Sequence, residues 1–419
     1  MHNSKDLFYS SHPSGIFAVM QFSDIIGQEN IKDKLVQLVR HNRLSHALLF
    51  LGKEGNGDLA LALAFAQYIV CTSAKSNSQT NSPSLFGEAL PQPEILVANM
   101  IDSCGVCPAC KKAAALVHPD IHFSYPVIPK KSGEAPVSSD YISEWREFIA
   151  GYPYGNVYDW LQFLGAENKQ GNITARESNE INRKLTLKSF ESNYKILIMW
   201  LPEYLGKEGN KLLKLIEEPP VDTIFIFVAE NEDAILPTIL SRTQLVKIPA
   251  LADVEIKDAL INRADVSESK ASQIAVVANG NYREALHLLQ HAEDDWQETA
   301  RDWLKVINRQ RIPDQVKWIE DISKMGREKQ KQFLLYFIHM CQQAIRLNVN
   351  VQASMPESEL DFAQRLNKLC SLEAQEAIVE ELNKACYFIE RNAHAKMLFH
   401  ALTIRIYHII KDNSLILVN

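Results

Sequence analysis

Gly52-Lys53-Glu54-Gly55-Asn56-Gly57-Asp58-Leu59 has the glycine spacing of a phosphate-binding loop, and its reading decides the fold. Such a loop leaves a buried strand and opens a helix. Backbone N–H groups at the helix N-terminus cradle a triphosphate, a Lys reaches the β and γ phosphates, and a Ser or Thr hydroxyl holds Mg²⁺. Here Asp58 and Leu59 occupy the two side-chain positions. A unit-charge pair at ~4 Å is worth roughly 4 kcal/mol at an effective dielectric near 20, so a carboxylate in place of the ammonium turns attraction into repulsion of similar size. The loop of Gly52, Gly55 and Gly57 therefore survives in outline, while binding of ATP or Mg²⁺ through it is not expected. Asp58 reads as a first-turn helix carboxylate facing the positive end of the macrodipole.

Outward from the loop, residues 47–51 form a short apolar strand and 59–70 its helix, preceded by an amphipathic helix to about Arg40 with Ile31, Leu35, Leu38 and Val39 on one face. Further strands are expected at 121–125, 195–201, 223–229 and 244–248, with helices at 175–187 and 206–216. Nearly uniform apolar strands imply a parallel sheet covered on both faces. Strand signals stop after Pro249: three short helices fill 253–292, and the chain is helical from about Trp296, with periodic residues Phe333, Phe337, Cys341 and Ile345 and again Leu398, Leu402 and Ile406. Three domains are expected: an α/β domain over 20–249, a small helical domain over 250–294 and a larger helical domain over 295–419. Residues 1–19 show no sustained period and read as disordered or as a start-site artefact ahead of Met20. Two stretches interrupt the α/β pattern, the Ser/Asn/Pro-rich 72–92 and the segment 129–171, which carries two aromatic-bearing helical pieces.

At 419 residues, 46% apolar and 23% charged, the chain has the composition of a multidomain globular protein. No apolar run reaches the ~18 to 20 residues of a membrane span and no secretory leader opens the chain, so the cytoplasm is the expected compartment. A net charge of −7 argues against bulk affinity for nucleic acid, which leaves local contacts.

Cys104-x-x-Cys107-x-x-Cys110, with Cys71 upstream, offers four thiolates in a chain without secretory features, which fits a tetrahedral Zn²⁺ site better than a disulfide framework. With four protein ligands no position is left for water, so the site is expected to be structural. Cys341, Cys370 and Cys386 sit singly in helical apolar patterns and read as core residues. The strand 195–201, where an ATPase of this layout carries acids for Mg²⁺, ends in Trp200-Leu201-Pro202; the nearest carboxylate, Glu203, reads as an ordinary first-turn helix residue. Glu217-Glu218-Pro219-Pro220 reads as a helix-ending turn. Arg183, Lys184 and Lys188 form a basic cluster, either a solvated face or a set of phosphate contacts.

In this order Phe22-Ser23-Asp24-Ile25-Ile26-Gly27-Gln28, Leu44-Ser45-His46-Ala47-Leu48-Leu49-Phe50, the loop, the cysteine triple, Leu213-Lys214-Leu215-Ile216-Glu217-Glu218-Pro219-Pro220 and Ile239-Leu240-Ser241-Arg242 resemble the delta-prime subunits of bacterial DNA polymerase III clamp loaders. The resemblance covers residues 20–295 by motif. It implies an AAA+ P-loop-type α/β domain with a zinc module (71–110) and an insertion (129–171), a helical lid and an all-α collar. It further implies a subunit without its own ATPase that supports ATP-dependent loading of the sliding clamp onto primed DNA, with gamma/tau and delta subunits as partners. In that family a Ser-Arg-Cys motif carries an arginine finger into a neighbour's ATP site; here Arg242 stands in that position and Thr243 replaces the Cys. Gly280-Asn281-Tyr282-Arg283 resembles the segment in which related ATPases place an arginine over their own nucleotide; with this loop disabled, Arg283 reads as a residue of capping or packing. Two rival readings are a gamma/tau-like motor that hydrolyses ATP through unusual residues, and an autonomous DNA-binding protein built on the cysteine cluster. Few basic residues besides Lys111 and Lys112 surround that cluster, against the second rival.

Overall fold

The computed structural model describes residues 21–75, 102–130, 133–166, 169–290, 296–309, 311–348, 357–390 and 393–412. The expectations for residues 1–19 and for most of 72–92 lie outside them. Two compact units emerge, one of the described residues up to 275 with 279–284, the other of 276–278 with those from 285 onward.

In the first unit a 3₁₀ turn (Phe22–Asp24) leads into α1 (Glu29–Arg40), β1 (Ala47–Leu51) and α2 (Asp58–Val70). After α3 (Thr72–Lys75) and α4 (Pro108–Ala114) comes β2 (Ile121–Ser124), then α5 (Ile142–Gly151), α6 (Val157–Phe163) and α7 (Ala175–Thr186). β3 (Lys195–Trp200), α8 (Asn210–Glu217), β4 (Thr223–Ala229), α9 (Pro237–Leu240) and β5 (Gln244–Lys247) complete the sheet, and α10 (Asp253–Ala264) follows; α11 (Glu268–Ala278) and α12 (Tyr282–Gln290) are divided between the two units.

The five strands are parallel in the order β2-β3-β4-β1-β5. Alternation along each strand divides its apolar side chains between two cores. Leu48, Phe50, Ile196, Ile198, Ile224 and Ile226 face α2, whereas Ala47, Leu49, Leu197, Met199, Phe225 and Phe227 share the other core with residues of α7 and α8. All thirteen residues of α2 are buried, as suits a helix apolar on every side. β5 corrects the expectation of a sheet covered throughout: this edge strand leaves Gln244, Leu245 and Lys247 exposed.

The insertion closes on itself at an antiparallel bridge, with Val127 and Asn172 exchanging backbone hydrogen bonds of 3.0 and 2.9 Å. Its aromatic residues join the α2-side core. Trp145 stacks on Tyr125 with ring centroids 4.0 Å apart, meets Trp160 edge-on at 5.4 Å, and lies 5.3 Å from Trp200 at the end of β3. The Trp160 indole N–H donates to the Pro126 carbonyl at 2.7 Å. The aromatic helices thus extend the hydrophobic core over the carboxyl end of β3.

The second unit is helical, with α13 (Trp296–Arg309), α14 (Ile312–Lys324), α15 (Arg327–Asn348), α16 (Glu357–Leu369), α17 (Leu372–Glu390) and α18 (Ala395–Asp412). Its core centres on Trp303, which stacks on Trp318 at 5.0 Å and donates its indole N–H to Thr403 at 3.0 Å. Phe333, Phe337 and Cys341 line one buried face of α15, and Cys370 and Cys386 are buried as expected. Burial pushes the Cys370 thiol up to about 11 and that of Cys341 higher still, as befits thiols serving as small hydrophobes.

Candidate functional site

The glycine loop lies where β1 hands over to α2, at the carboxyl end of the sheet. Gly55 and Gly57 hold left-handed backbone with φ of +76° and +84°. In a nucleotide-binding loop such glycines leave space for the ligand. Here that space is taken by protein: a Cβ on Gly55 would fall 1.8 Å from Asn281 Oδ1, and one on Gly57 2.6 Å from the Tyr154 ring. The Tyr282 N–H donates to the Gly55 carbonyl at 3.2 Å, and the Tyr282 ring meets Tyr154 edge-on at 5.1 Å. Tyr154 is anchored in turn by its hydroxyl, which accepts from the Ile26 N–H at 2.9 Å.

Arg283 is buried against the same loop. Its Nε and Nη2 donate to Asp159 Oδ2 and Oδ1 at 2.5 and 2.7 Å, and its Nη1 to Glu54 Oε1 at 3.0 Å. Asp159 belongs to the insertion, where it completes a capping box at the start of α6: its N–H donates to Asn156 Oδ1 at 2.9 Å while Oδ2 accepts from the Asn156 N–H at 3.1 Å. Beside this covered face a cleft of about 940 Å³ remains, bordered by Lys34, Lys53 and Lys247 but also by Glu29, Glu230 and Glu255.

Asp58 is the first residue of α2, as expected, and it is buried. Oδ1 accepts from the Leu59 N–H at 2.9 Å, and Oδ2 has no hydrogen-bond partner. Burial, reinforced by the nearby charges of Glu203 and Glu54 and opposed by backbone N–H groups, raises the carboxyl from 3.8 to about 7. The folded state therefore holds this proton more tightly than the unfolded chain. Stability contributed by the neutral carboxyl is lost as pH rises from about 4 to about 7, with a full cost of roughly 4 kcal/mol above that range. Asp58→Asn is thus expected to stabilise the chain by a few kcal/mol at pH 8 and progressively less toward pH 4. Denaturant unfolding across that range checks it, and a gain independent of pH would refute the assignment.

Glu203 has a more specific place than an ordinary helix residue. It lies in the first turn of the 3₁₀ segment after β3 (Pro202–Gly209), and its Oε1 accepts the N–H groups of Glu230 and Asn231 at 2.7 and 2.8 Å, tying the end of β3 to the end of β4. Burial raises its pKa against those N–H groups.

The four cysteines come together at the end of α2, their sulfurs all within 4.8 Å of one another. A tetrahedral ion with metal–sulfur bonds of about 2.3 Å needs sulfurs about 3.8 Å apart, and Cys104 and Cys110 stand at 3.9 Å. Backbone N–H groups of Cys104, Cys107 and Cys110 donate to the sulfurs of Cys71, Cys104 and Cys107, each at 3.4 Å, which favours thiolates. The donor set fits a metal ion with four thiolate ligands. Cys107 caps α4, with Pro108 at its first position. Lys112 of the same helix is paired with Glu191, so little unbalanced positive charge borders the cluster.

Arg242 lies elsewhere, between α9 and β5, on the amino side of the sheet. Its Nη2 pairs with Glu217 at 2.5 Å, and its Nη1 donates to the Thr238 carbonyl at 2.9 Å and to Ser241 Oγ at 3.1 Å. The carboxylate that ends α8 therefore holds the arginine, which leaves its side chain partly exposed. Because β1 and β5 are parallel, Arg242 and the glycine loop sit at opposite ends of strands about 16 Å long. In the basic cluster, Arg183 is paired with Glu180 at 2.8 Å. Sequence reasoning gave no role to Glu54, Tyr154, Asp159 or Asn281, although Asn156-x-x-Asp159 and Asn281-x-x-Glu284 both have helix-start spacing.

Residues 27–86 and 94–252, just over half of the chain, match the family described as DNA polymerase III, delta subunit. The Bacillus subtilis (strain 168) DNA polymerase III subunit delta' is 27% identical over 266 residues, covering 64% of this chain and 60% of that protein. The Escherichia coli (strain K12) subunit delta' is 22% identical over 305 residues, covering 68% and 71%. The B. subtilis subunit tau is 25% identical over 283 residues, covering 66% and 38%. The chain thus spans about three fifths of the length of the first of these relatives and less of the tau subunit. With its parallel sheet, glycine loop and helical second unit, the chain belongs to the family described as DNA polymerase III, delta subunit.

Proposed function

We propose that the chain is a delta-prime-type subunit of the clamp loader that does not hydrolyse ATP and contributes Arg242 to the ATP site of a neighbouring motor subunit. The observation that carries this reading is the opposition of two ends: the chain's own loop is covered by its side chains, while Arg242 is partly exposed at the far end of the sheet, out of reach of that loop. A guanidinium presented there is suited to neutralise charge on a phosphoryl group held by another subunit. The cysteine cluster holds a structural Zn²⁺ in this reading, with Cys71, Cys104, Cys107 and Cys110 as ligands. Gamma/tau and delta homologues are the partners, the clamp and primed DNA are met within the assembled loader, and the cytoplasm is the place of action. Residues 250–294, with α10 to α12, serve as lid and residues 295–419, with α13 to α18, as collar. Among the described residues no helix is long and apolar enough to cross a membrane.

Two measurements test the proposal. The chain should copurify with its host's gamma/tau and delta homologues, and by itself should show no saturable MgATP binding at micromolar concentrations. Micromolar binding would establish the motor reading instead. Salt-dependent DNA binding by the isolated chain would favour the autonomous DNA-binding reading.

A further inference from the structure

We propose that Asp159 and Glu54 act as a built-in substitute for an anionic ligand, supplying Arg283 with the negative charge a phosphate group would bring and thereby excluding polyphosphates from the loop. This deepens, and rests on, the reading of the loop as nucleotide-free. It makes that state a property of added groups as well as of a missing lysine.

A guanidinium stays protonated in proteins, so a buried one needs an anion in contact. Arg283 is buried, with its side chain only 4% exposed, and finds that anion inside the chain. Asp159 takes the two-pronged contact that the planar guanidinium offers equally to a carboxylate or a phosphate. Glu54, from the loop itself, takes the third N–H. Asn281, two residues before Arg283, rests on Gly55, and Tyr154 rests on Gly57, so the faces that glycine leaves open are filled as well. The loop, the insertion and the start of α12 thus meet around one ion-pair network within the first unit. A polyphosphate entering here would have to displace Asp159 and would meet Glu54 and Asp58 as further carboxylates. Asp159 is a positioning and exclusion residue in this scheme; it touches no reacting atom.

The test uses the full chain as Asp159→Asn, as Glu54→Gln with Asp159→Asn, and as that pair with Arg283→Met, each in pyrophosphate or in potassium chloride of equal ionic strength. Thermal midpoints and calorimetric binding are read. The double variant is expected to melt lower than the parent and to regain about 3 °C or more in millimolar pyrophosphate relative to chloride, with measurable binding. The parent should show neither effect, and the variant with Arg283→Met should lose the anion response. Equal pyrophosphate stabilisation of the parent, no recovery in the double variant, or a response that persists without Arg283 would each overturn the proposal. Should the double variant fold only with pyrophosphate while the triple variant folds without it, the proposal stands; failure of both in pyrophosphate overturns it. Micromolar MgATP binding by the parent would instead defeat the nucleotide-free reading, so the two failures are distinct.

Discussion

Replacing Cys110 by Ser is expected to reduce the zinc of the purified chain from about one ion per molecule to well under that, and to lower the thermal midpoint by about 10 °C or more. Cys110 is wholly buried in α4, and its sulfur faces that of Cys104 at 3.9 Å. A serine hydroxyl is a poor substitute for a thiolate ligand, and the remaining cysteines would face one another without a cation to draw them together. Structural zinc in small modules contributes about 10 kcal/mol or more of binding energy that is also folding energy. Part of that is retained here because Ala109 and Ala113 pack into the α2-side core, so the loss falls on the module and the end of α2 before the whole unit. Several kcal/mol in a unit of this size correspond to a shift of about 10 °C. Cys386→Ser, in the core of the second unit, should leave the metal content unchanged. A full zinc complement in the Cys110 variant, or none in the parent after reconstitution, would remove the metal site.

Arg242→Ala is expected to lower clamp- and DNA-stimulated ATP turnover by about a thousandfold at the site the arginine serves, and to impair clamp loading, while the assembly still forms. A finger supplied in trans is worth about 10³-fold or more in phosphoryl transfer, or roughly 4 kcal/mol of transition-state stabilisation. The stability cost should be small, because a partly exposed pair such as Arg242 with Glu217 contributes about 0 to 1 kcal/mol. That contrast makes the experiment informative: activity should fall with no matching loss of folding or assembly. Loading at the parent rate would remove Arg242 from the mechanism.

Much of the architecture was legible because it is written locally. Strand 223–229 is apolar throughout, the glycines of 52–57 mark the turn, and Pro219 with Pro220 ends α8, so element order followed from periodicity and breakers. Three thiols at spacing three announce one shared site. β5 was misjudged because the same apolar alternation serves a buried strand and an edge whose outer neighbour is solvent. The ion pair of Arg283 with Asp159 joins residues 124 apart, and no spacing rule connects them. Asp58 was placed on the right helix, but its burial depends on the packing of elements far along the chain. Glu217 ends α8 as expected, but its pairing with Arg242 had no local signature, since Arg242 arrives only after another strand.

The bridge between Val127 and Asn172 brings the two ends of the insertion side by side. A segment with such neighbouring ends is a graft: chain can be added between them without shifting any strand, since the host sees the same short crossing whatever hangs beyond it. This graft has become indispensable to its host. Replacing it by a tight turn of about two residues between 127 and 172 would keep the crossing, yet it would strip Trp200 of its cover and leave Arg283 without the Asp159 carboxylate. The sheet and the insertion must therefore have been shaped together, and moving either into another member of the family would require carrying the arginine, the aspartate and the tryptophans as one package.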